Sequence, residues 1–150
     1  MASAERDGVR LISVVLGASD DETRSRESQR LLSYGFRYYD TQTLFKSGEI
    51  IESSVKVWYG KEDFIDLTIK DNATITFPRG AKDNLKAKVS INDTLEAPIS
   101  TGDELGKLEI VLDDETLLSV PLISVDEIQK GNIITRLLDW LVLFFTNLLS

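Results

Sequence analysis

Three short patterns in the sequence contain the residue types of a serine acyl-transfer site. Ser53–Lys56 fits Ser-x-x-Lys, Ser90–Asn92 fits Ser-x-Asn, and Lys46–Gly48 fits a relaxed Lys-Thr-Gly. In such a site the serine attacks a carbonyl carbon, the lysine accepts its proton, and backbone N–H groups hold the oxyanion. Because the chain has no cysteine and no histidine, this is one of the few catalytic chemistries that the composition leaves open.

The spacing of these residues argues against a working site. With 14 serines and nine lysines in 150 positions, about one Ser-x-x-Lys is expected by chance. Ser53 and Lys56 also fall in a predicted alternating strand, where an offset of three residues sends two side chains to opposite faces. We therefore expect no catalytic residue in this chain.

The composition excludes several other classes of function. Without cysteine or histidine there is no disulfide, no thiol catalysis, no Ser-His-Asp triad and no HExxH zinc site. The 17 basic and 25 acidic residues leave a net charge of -8, which disfavours nucleic-acid binding. Asp113–Glu115 is interpreted as a solvated hairpin tip rather than a metal site. We expect no metal and no cofactor, and the sequence leaves the oligomeric state open.

Residues 1–45 read as two strands followed by a helix. The Asp7-Gly8 pair between two extended runs predicts a hairpin, and the run Val9–Leu16 is apolar on both faces. The acidic residues Asp20–Glu22 predict the start of a helix. One helix cannot cover both faces of the second strand, so the face formed by Ile12, Val14 and Leu16 is expected to lack a cover in this chain.

Residues 46–130 are dominated by alternation of apolar and polar side chains. The stretches 65–70, 85–91 and 108–112 alternate, and turn signals separate them. Short strands at this spacing predict a small antiparallel β-sandwich or barrel.

Residues 131–150 predict a helix with a broad apolar face and a thin polar stripe. The longest unbroken apolar run, Trp140–Phe145, is far too short to cross a bilayer. The pattern favours an amphipathic helix that lies in the membrane interface, and a core helix docked on the sandwich is the alternative. The residues expected to enter the membrane are Ile133, Ile134, Leu137, Leu138, Trp140, Leu141, Phe144, Phe145 and Leu148.

Several segments carry a family resemblance. Val57–Gly60 (VWYG), Ile75–Gly80 (ITFPRG) and Leu85–Ala87 (LKA) resemble the C-terminal domain of the serine D-alanyl-D-alanine carboxypeptidases of the penicillin-binding protein five and six type. Further matching segments, in order, are Ala2–Ala4, Arg10–Ile12, Glu27–Ser28, Leu31–Phe36, Ala97–Ile99, Pro121–Leu122, Gly131–Asn132 and Asp139–Trp140. The resemblance covers essentially the whole chain.

The resemblance implies a mainly β chain of three parts. Residues 1–45 are the expected hairpin-plus-helix remnant of an α/β, serine β-lactamase-like catalytic domain. Residues 46–130 are the expected β-rich stalk domain, a small antiparallel sandwich, and residues 131–150 the amphipathic membrane anchor. Family members trim the terminal D-alanine from peptidoglycan pentapeptides, are acylated by penicillins, and lie on the periplasmic or outer face of the bacterial cytoplasmic membrane.

The same resemblance implies that this chain alone is inactive. Its first strand matches the one that follows the family's Lys-Thr-Gly strand, so all three catalytic motifs are expected upstream of Met1. The three look-alike patterns also occur in the wrong order, because Lys46–Gly48 comes first.

One substrate-binding residue is implied. Arg24 matches an arginine that helps recognise the free carboxylate of the terminal D-alanine in the peptidoglycan stem peptide, a role that suits the bidentate guanidinium. The alternative is a solvated helix arginine paired with Asp20 or Asp21. A second reading of the whole chain also stays open: if Met1 is a true start, the protein is a non-enzymatic scaffold module at the membrane surface near peptidoglycan.

Overall fold

The protein divides into two compact units. A computed structural model describes residues 1–133, 136–137 and 139–142. The first unit comprises Met1–Gln42 and Thr74–Leu85, and the second comprises Thr43–Ala73 and the residues from Lys86 onward. The described chain is mainly β, as predicted.

The first unit begins with the predicted hairpin. Strand β1 (Ala2–Arg6) pairs antiparallel with β2 (Val9–Ser13). Asp7 and Gly8 form the turn with φ values of 51° and 78°. Positive φ at both turn residues is what a two-residue hairpin requires, and it explains the Asp-Gly pair.

Helix α1 (Asp21–Tyr38) starts where the acidic residues predict. The Asp20 side chain caps it by accepting a hydrogen bond of 2.7 Å from the Thr23 N–H. Hydrogen bonds from the Ser19 hydroxyl, and then from the Thr23 N–H and hydroxyl, lower the pKa of Asp20. The cap satisfies one of the backbone donors that the first turn of a helix leaves unpaired.

Helix α1 packs on the hairpin through small residues. Ser28 is buried, and its carbonyl accepts a hydrogen bond of 3.5 Å from the Ser13 hydroxyl. Gly35 lets the Leu11 side chain approach the helix backbone more closely than a methyl group would allow. The apolar run Val9–Leu16 does not form a strand along its whole length: β2 ends at Ser13, which pairs with Ala2, the first residue of β1. Ile12 on β2 is exposed, and so are Val14 and Leu16 beyond its end. The three residues expected to lack a cover are therefore exposed, although only Ile12 belongs to the strand.

Two strands far apart in sequence form a second small sheet. Strand β3 (Tyr39–Phe45) neighbours β6 (Ala73–Pro78). The Thr41 and Thr76 hydroxyls lie 2.8 Å apart, and the Arg79 N–H donates to the Tyr38 carbonyl at 2.8 Å. Arg79 also forms an ion pair of 2.8 Å with Asp40. A short 3-10 helix at Lys82–Asn84 follows.

The second unit is built on a six-stranded sheet. Its spatial order is β7-β9-β10-β5-β4-β8. The strands are β4 (Ile50–Trp58), β5 (Phe64–Thr68), β7 (Leu85–Ile91), β8 (Leu95–Glu96), β9 (Glu104–Leu112) and β10 (Glu115–Ser124).

Strand pairing in this sheet departs from the prediction in one place. β4 with β5, β5 with β10, and β9 with β10 are antiparallel, as expected. β4 and β8 instead pair in parallel, through Val57 with Leu95 and Trp58 with Glu96. Alternation reports only which face a side chain occupies and carries no information on strand direction. The prediction of a purely antiparallel arrangement was therefore wrong for this pair.

The predicted alternation places the core correctly in the central strands. Leu67, Leu108, Ile110 and Leu122 are fully buried. The β9–β10 hairpin turns at Asp113 and Asp114, both at positive φ, which confirms the predicted hairpin tip. Strand β7 is different, because it is an edge strand and most of its side chains are exposed.

Candidate functional site

The C-terminal segment is joined to the end of β4 by one carboxylate. Residues 133, 136–137 and 139–142 are helical. The half-buried Asp139 accepts a hydrogen bond of 2.7 Å from the Tyr59 N–H. A hydrogen bond to a charged acceptor is shorter and stronger than a neutral one. Asp139 therefore fixes the helical segment on the second unit.

Main-chain contacts reinforce the same joint. The Gly131 N–H donates to the Tyr59 carbonyl at 2.8 Å, and the Lys61 N–H donates to the Gln129 carbonyl at 2.9 Å. A Cβ at Gly131 would lie 2.5 Å from the Gly60 carbonyl oxygen, so only glycine permits this approach. Tyr59 has φ of 62°, a region that non-glycine residues seldom occupy. Two hydrogen bonds hold it there: its N–H donates to Asp139 and its carbonyl accepts from the Gly131 N–H.

The apolar residues of this segment face solvent. Four of the predicted anchor residues are exposed, with Ile133 at 82%: Ile133, Leu137, Trp140 and Leu141. Val142, which is not among the predicted anchor residues, is exposed as well. The other predicted anchor residues, Ile134, Leu138, Phe144, Phe145 and Leu148, lie outside the described residues. Within the part of the chain that the structure describes, no helix has the length and hydropathy to span a membrane. Membrane binding by these residues stays a prediction.

Replacing Asp139 with alanine is expected to loosen the joint. The change leaves the Tyr59 N–H without its charged acceptor, which costs about 1–3 kcal/mol. Hydrogen exchange at the Tyr59 amide should speed up about tenfold or more, while the core amide of Leu108 should be unaffected. Asp126→Ala removes the same charge from an exposed position and is the matched control. Equal exchange at Tyr59 in both variants would contradict the assigned role of Asp139.

Ser53 and Lys56, the Ser-x-x-Lys pair, lie on β4. The Lys56 ammonium forms an ion pair of 2.9 Å with Asp63 and lies 5.2 Å and 5.3 Å from the Trp58 and Phe64 ring centres. The ammonium is thus engaged with a carboxylate and two aromatic rings, contacts typical of a structural lysine. These contacts give Lys56 a structural role.

Strand β4 is irregular between Ser53 and Lys56, contrary to the expectation of regular alternation. The β4–β5 register shifts between Glu52 and Val55, and Ser54 has φ of 55°, which marks a β-bulge. A bulge interrupts the alternation of faces, so the offset of three residues does not by itself separate Ser53 from Lys56. The contacts of Lys56, rather than the alternation, set this pair apart from a catalytic one.

The other two patterns lie elsewhere in the second unit. Ser90 is on β7 at one edge of the sheet, and β9, β10 and β5 separate it from β4. Ser47 lies in the turn before β4, where its N–H donates to the Asn72 side chain at 2.8 Å and its hydroxyl donates to the Lys70 carbonyl at 2.5 Å. The structure therefore does not bring the three patterns together. Among the described residues, no group of three or more acidic side chains is placed to hold a metal ion.

Arg24, the predicted substrate-binding residue, lies in the first turns of α1. Its guanidinium forms an ion pair of 3.0 Å with Asp21, and the side chain is about half exposed. It also lines a cavity of about 230 Å³ together with Met1, Ser28 and Leu32. The ion pair matches the structural alternative considered for this arginine, and its role toward substrate stays a prediction.

Comparison with known proteins identifies relatives of this chain. Residues 39–130, more than half of the chain, match the family model of the penicillin-binding protein 5 C-terminal domain. D-alanyl-D-alanine carboxypeptidase DacC of Escherichia coli is 34% identical over 146 residues, which is 97% of this chain and 36% of that protein. DacA of the same organism has the same identity and coverage.

A solved structure supports the same relationship. The crystal structure of penicillin-binding protein 5 from Haemophilus influenzae matches with a TM-score of 0.78 and 30% identity, over 85% of this chain and 38% of that one. The chain spans about a third of the length of the curated relatives it matches. On the family match and these identities, the chain belongs to the penicillin-binding protein 5 family and contains its C-terminal domain.

Proposed function

We propose that this chain is the C-terminal portion of a serine D-Ala-D-Ala carboxypeptidase that trims the terminal D-alanine of peptidoglycan pentapeptides. In this proposal the chain supplies a stalk and a membrane anchor, and the nucleophile belongs to a part of the enzyme that lies upstream. The relatives that are named carboxypeptidases are about three times as long, which leaves room for a catalytic domain.

The anchor part of the proposal depends on one observation. Exposed apolar side chains, including Ile133, Leu137 and Trp140, belong to a segment that Asp139 holds on the family-matched domain. Large apolar side chains gain free energy on leaving water, and a membrane interface accepts them without a spanning helix. The expected location is the periplasmic or outer face of the bacterial cytoplasmic membrane.

Residues 1–45 have a different proposed role. The exposed side chains of Ile12 on β2, and of Val14 and Leu16 just after it, support the proposal that this hairpin and α1 complete a catalytic domain whose other elements cover them. Covering large apolar side chains removes them from water and stabilises the fold. In that setting Arg24 would contribute to binding the substrate carboxylate.

The proposal predicts that the 150-residue chain is not acylated by penicillins. Incubation with a fluorescent penicillin should leave the chain unlabelled on a denaturing gel, at the same background as its Ser53→Ala variant. Full-length DacC serves as the positive control. Covalent label on the chain that Ser53→Ala removes would overturn the proposal that the nucleophile lies outside these residues.

A further inference from the structure

A groove lies at the joint between β4 and the C-terminal helical segment. It encloses about 550 Å³, and its lining includes Tyr59, Glu96, Lys130, Arg136, Leu137 and Trp140. This volume is within the usual range for small-molecule sites. All of these residues belong to the second unit.

The groove combines two cations with one anion. Lys130 and Arg136 line it and are exposed, and neither forms an ion pair with another described residue. Glu96 supplies one opposing charge. The lining therefore has a net positive charge of one in a chain whose net charge is -8. A ligand that carries a single negative charge, such as a phosphodiester, complements this lining.

The position of Lys130 is set by the fold. Lys130 forms a β-bridge with Gly60, and Gly131 follows in contact with the Tyr59 carbonyl. Arg136 lies one helical turn after Asn132, whose carbonyl accepts a hydrogen bond of 3.0 Å from the Arg136 N–H. The joint that holds the helical segment therefore also brings these two cations to one groove.

The groove continues into an apolar surface. Leu137 and Trp140 line it and are themselves among the exposed side chains of the segment. A Trp beside cations at the edge of an apolar surface is the arrangement expected at the boundary between headgroups and acyl chains. A free anion would use the cations alone, whereas a lipid would use both parts of the lining.

We infer that this groove binds the phosphodiester headgroup of an anionic membrane phospholipid, with its acyl chains along Leu137 and Trp140. The inference rests on the proposed membrane anchor and adds a headgroup preference to it. Lys130 and Arg136 contact the phosphate, and Tyr59 and Trp140 flank the glycerol backbone. The occupant is a single lipid of defined charge, and the apolar anchor itself binds without regard to headgroup.

The test compares vesicles of phosphatidylcholine alone with vesicles that also contain phosphatidylglycerol. The full chain is expected to partition more strongly onto the second kind. The double substitution K130Q/R136Q should reduce this preference roughly fivefold per cation, or about 25-fold for the pair. The matched control is K86Q/K88Q, which removes two positive charges from the exposed edge strand β7 of the same unit. If K130Q/R136Q loses the preference for phosphatidylglycerol and K86Q/K88Q keeps it, the groove is supported. Equal loss in both variants, or no loss in either, would overturn the inference.

A second measurement locates the lipid. Short-chain dihexanoyl-phosphatidylglycerol, below its micelle concentration, should shift the NMR signals of the Tyr59, Ala97 and Lys130 amides in a saturable way. Dihexanoyl-phosphatidylcholine should not do so, and inorganic phosphate should not displace the anionic lipid. Shifts confined to other amides, or displacement by phosphate, would overturn the assignment to a lipid headgroup.

The experiments distinguish failure of the membrane-anchor proposal from failure of the groove inference. Binding to phosphatidylcholine vesicles reports the apolar anchor alone. If that binding is absent while the short-chain anionic lipid still shifts the groove amides, the anchor is wrong and the groove stands. If the chain binds phosphatidylcholine vesicles and shows no preference for phosphatidylglycerol, the anchor stands and the groove is wrong.

Discussion

Ending the chain at Gly131 is expected to abolish its binding to phosphatidylcholine vesicles. The deletion removes every residue of the predicted anchor, and burial of two large apolar side chains alone contributes about 3–6 kcal/mol. The vesicle partition coefficient should therefore fall about 100-fold or more. Binding of the full chain should survive high salt, because apolar burial rather than charge supplies it. Sedimentation with vesicles measures both effects.

The control for this deletion separates anchoring from folding. The shortened chain should keep the far-ultraviolet circular dichroism signal of the β-strands in the second unit. Its core residues Leu67, Leu108 and Leu122 all precede the cut. The double substitution Ile133→Ser/Leu137→Ser should also weaken vesicle binding, and it does so in a chain of full length. Sedimentation of the shortened chain with vesicles as efficiently as the full chain would show that the anchor lies elsewhere.

Gly106→Ala is expected to destabilise the second unit more than the addition of a methyl group at any other position. A Cβ at Gly106 on β9 would clash with the Ser90 carbonyl oxygen and lie 3.1 Å from the Ile91 Cα. Both neighbours are main-chain atoms of β7, so relief requires the two strands to separate. Forcing extra volume into such a contact costs about 2–3 kcal/mol, or roughly 100-fold in the unfolding equilibrium.

A substitution two residues away provides the comparison. Glu104 is exposed at the start of β9, and Glu104→Ala should change the free energy of unfolding by no more than about 0.5 kcal/mol. Urea denaturation of both variants, followed by circular dichroism, measures the difference. Similar midpoints for the two would mean that β7 and β9 tolerate separation and that the close approach at Gly106 is not a constraint on the fold.

The elements that the sequence predicts well are those whose signals are local. Asp7-Gly8 specifies a turn by backbone conformation, and Asp20 caps α1 through a bond to a residue three positions away. Alternation locates the buried residues of β5 and β9 because burial on one face is a property of each strand. The parallel β4–β8 pair and the bulge at Ser54 depend on which strands meet, and no periodicity records that.

At the candidate site, too, local features could be predicted from the sequence, and contacts between distant segments could not. The apolar residues 133–142 are visible in sequence as a broad face, and the structure leaves the described ones exposed. The partner of Asp139 is 80 residues away, so its bond to the Tyr59 N–H could not be predicted. A single acidic residue inside an apolar run was the available signal that this position has a specific contact. Lys130 and Arg136 converge only because the joint folds Gly131 against Tyr59.

The bond between Asp139 and Tyr59 also constrains rotation. Because the Asp139 carboxylate is bonded to a peptide group at the end of β4, the helical segment cannot roll about its long axis without losing that bond. A roll would also leave the Tyr59 N–H without its acceptor, which is costly. In the proposed anchored state, the bond would couple the orientation of the second unit to that of the helical segment.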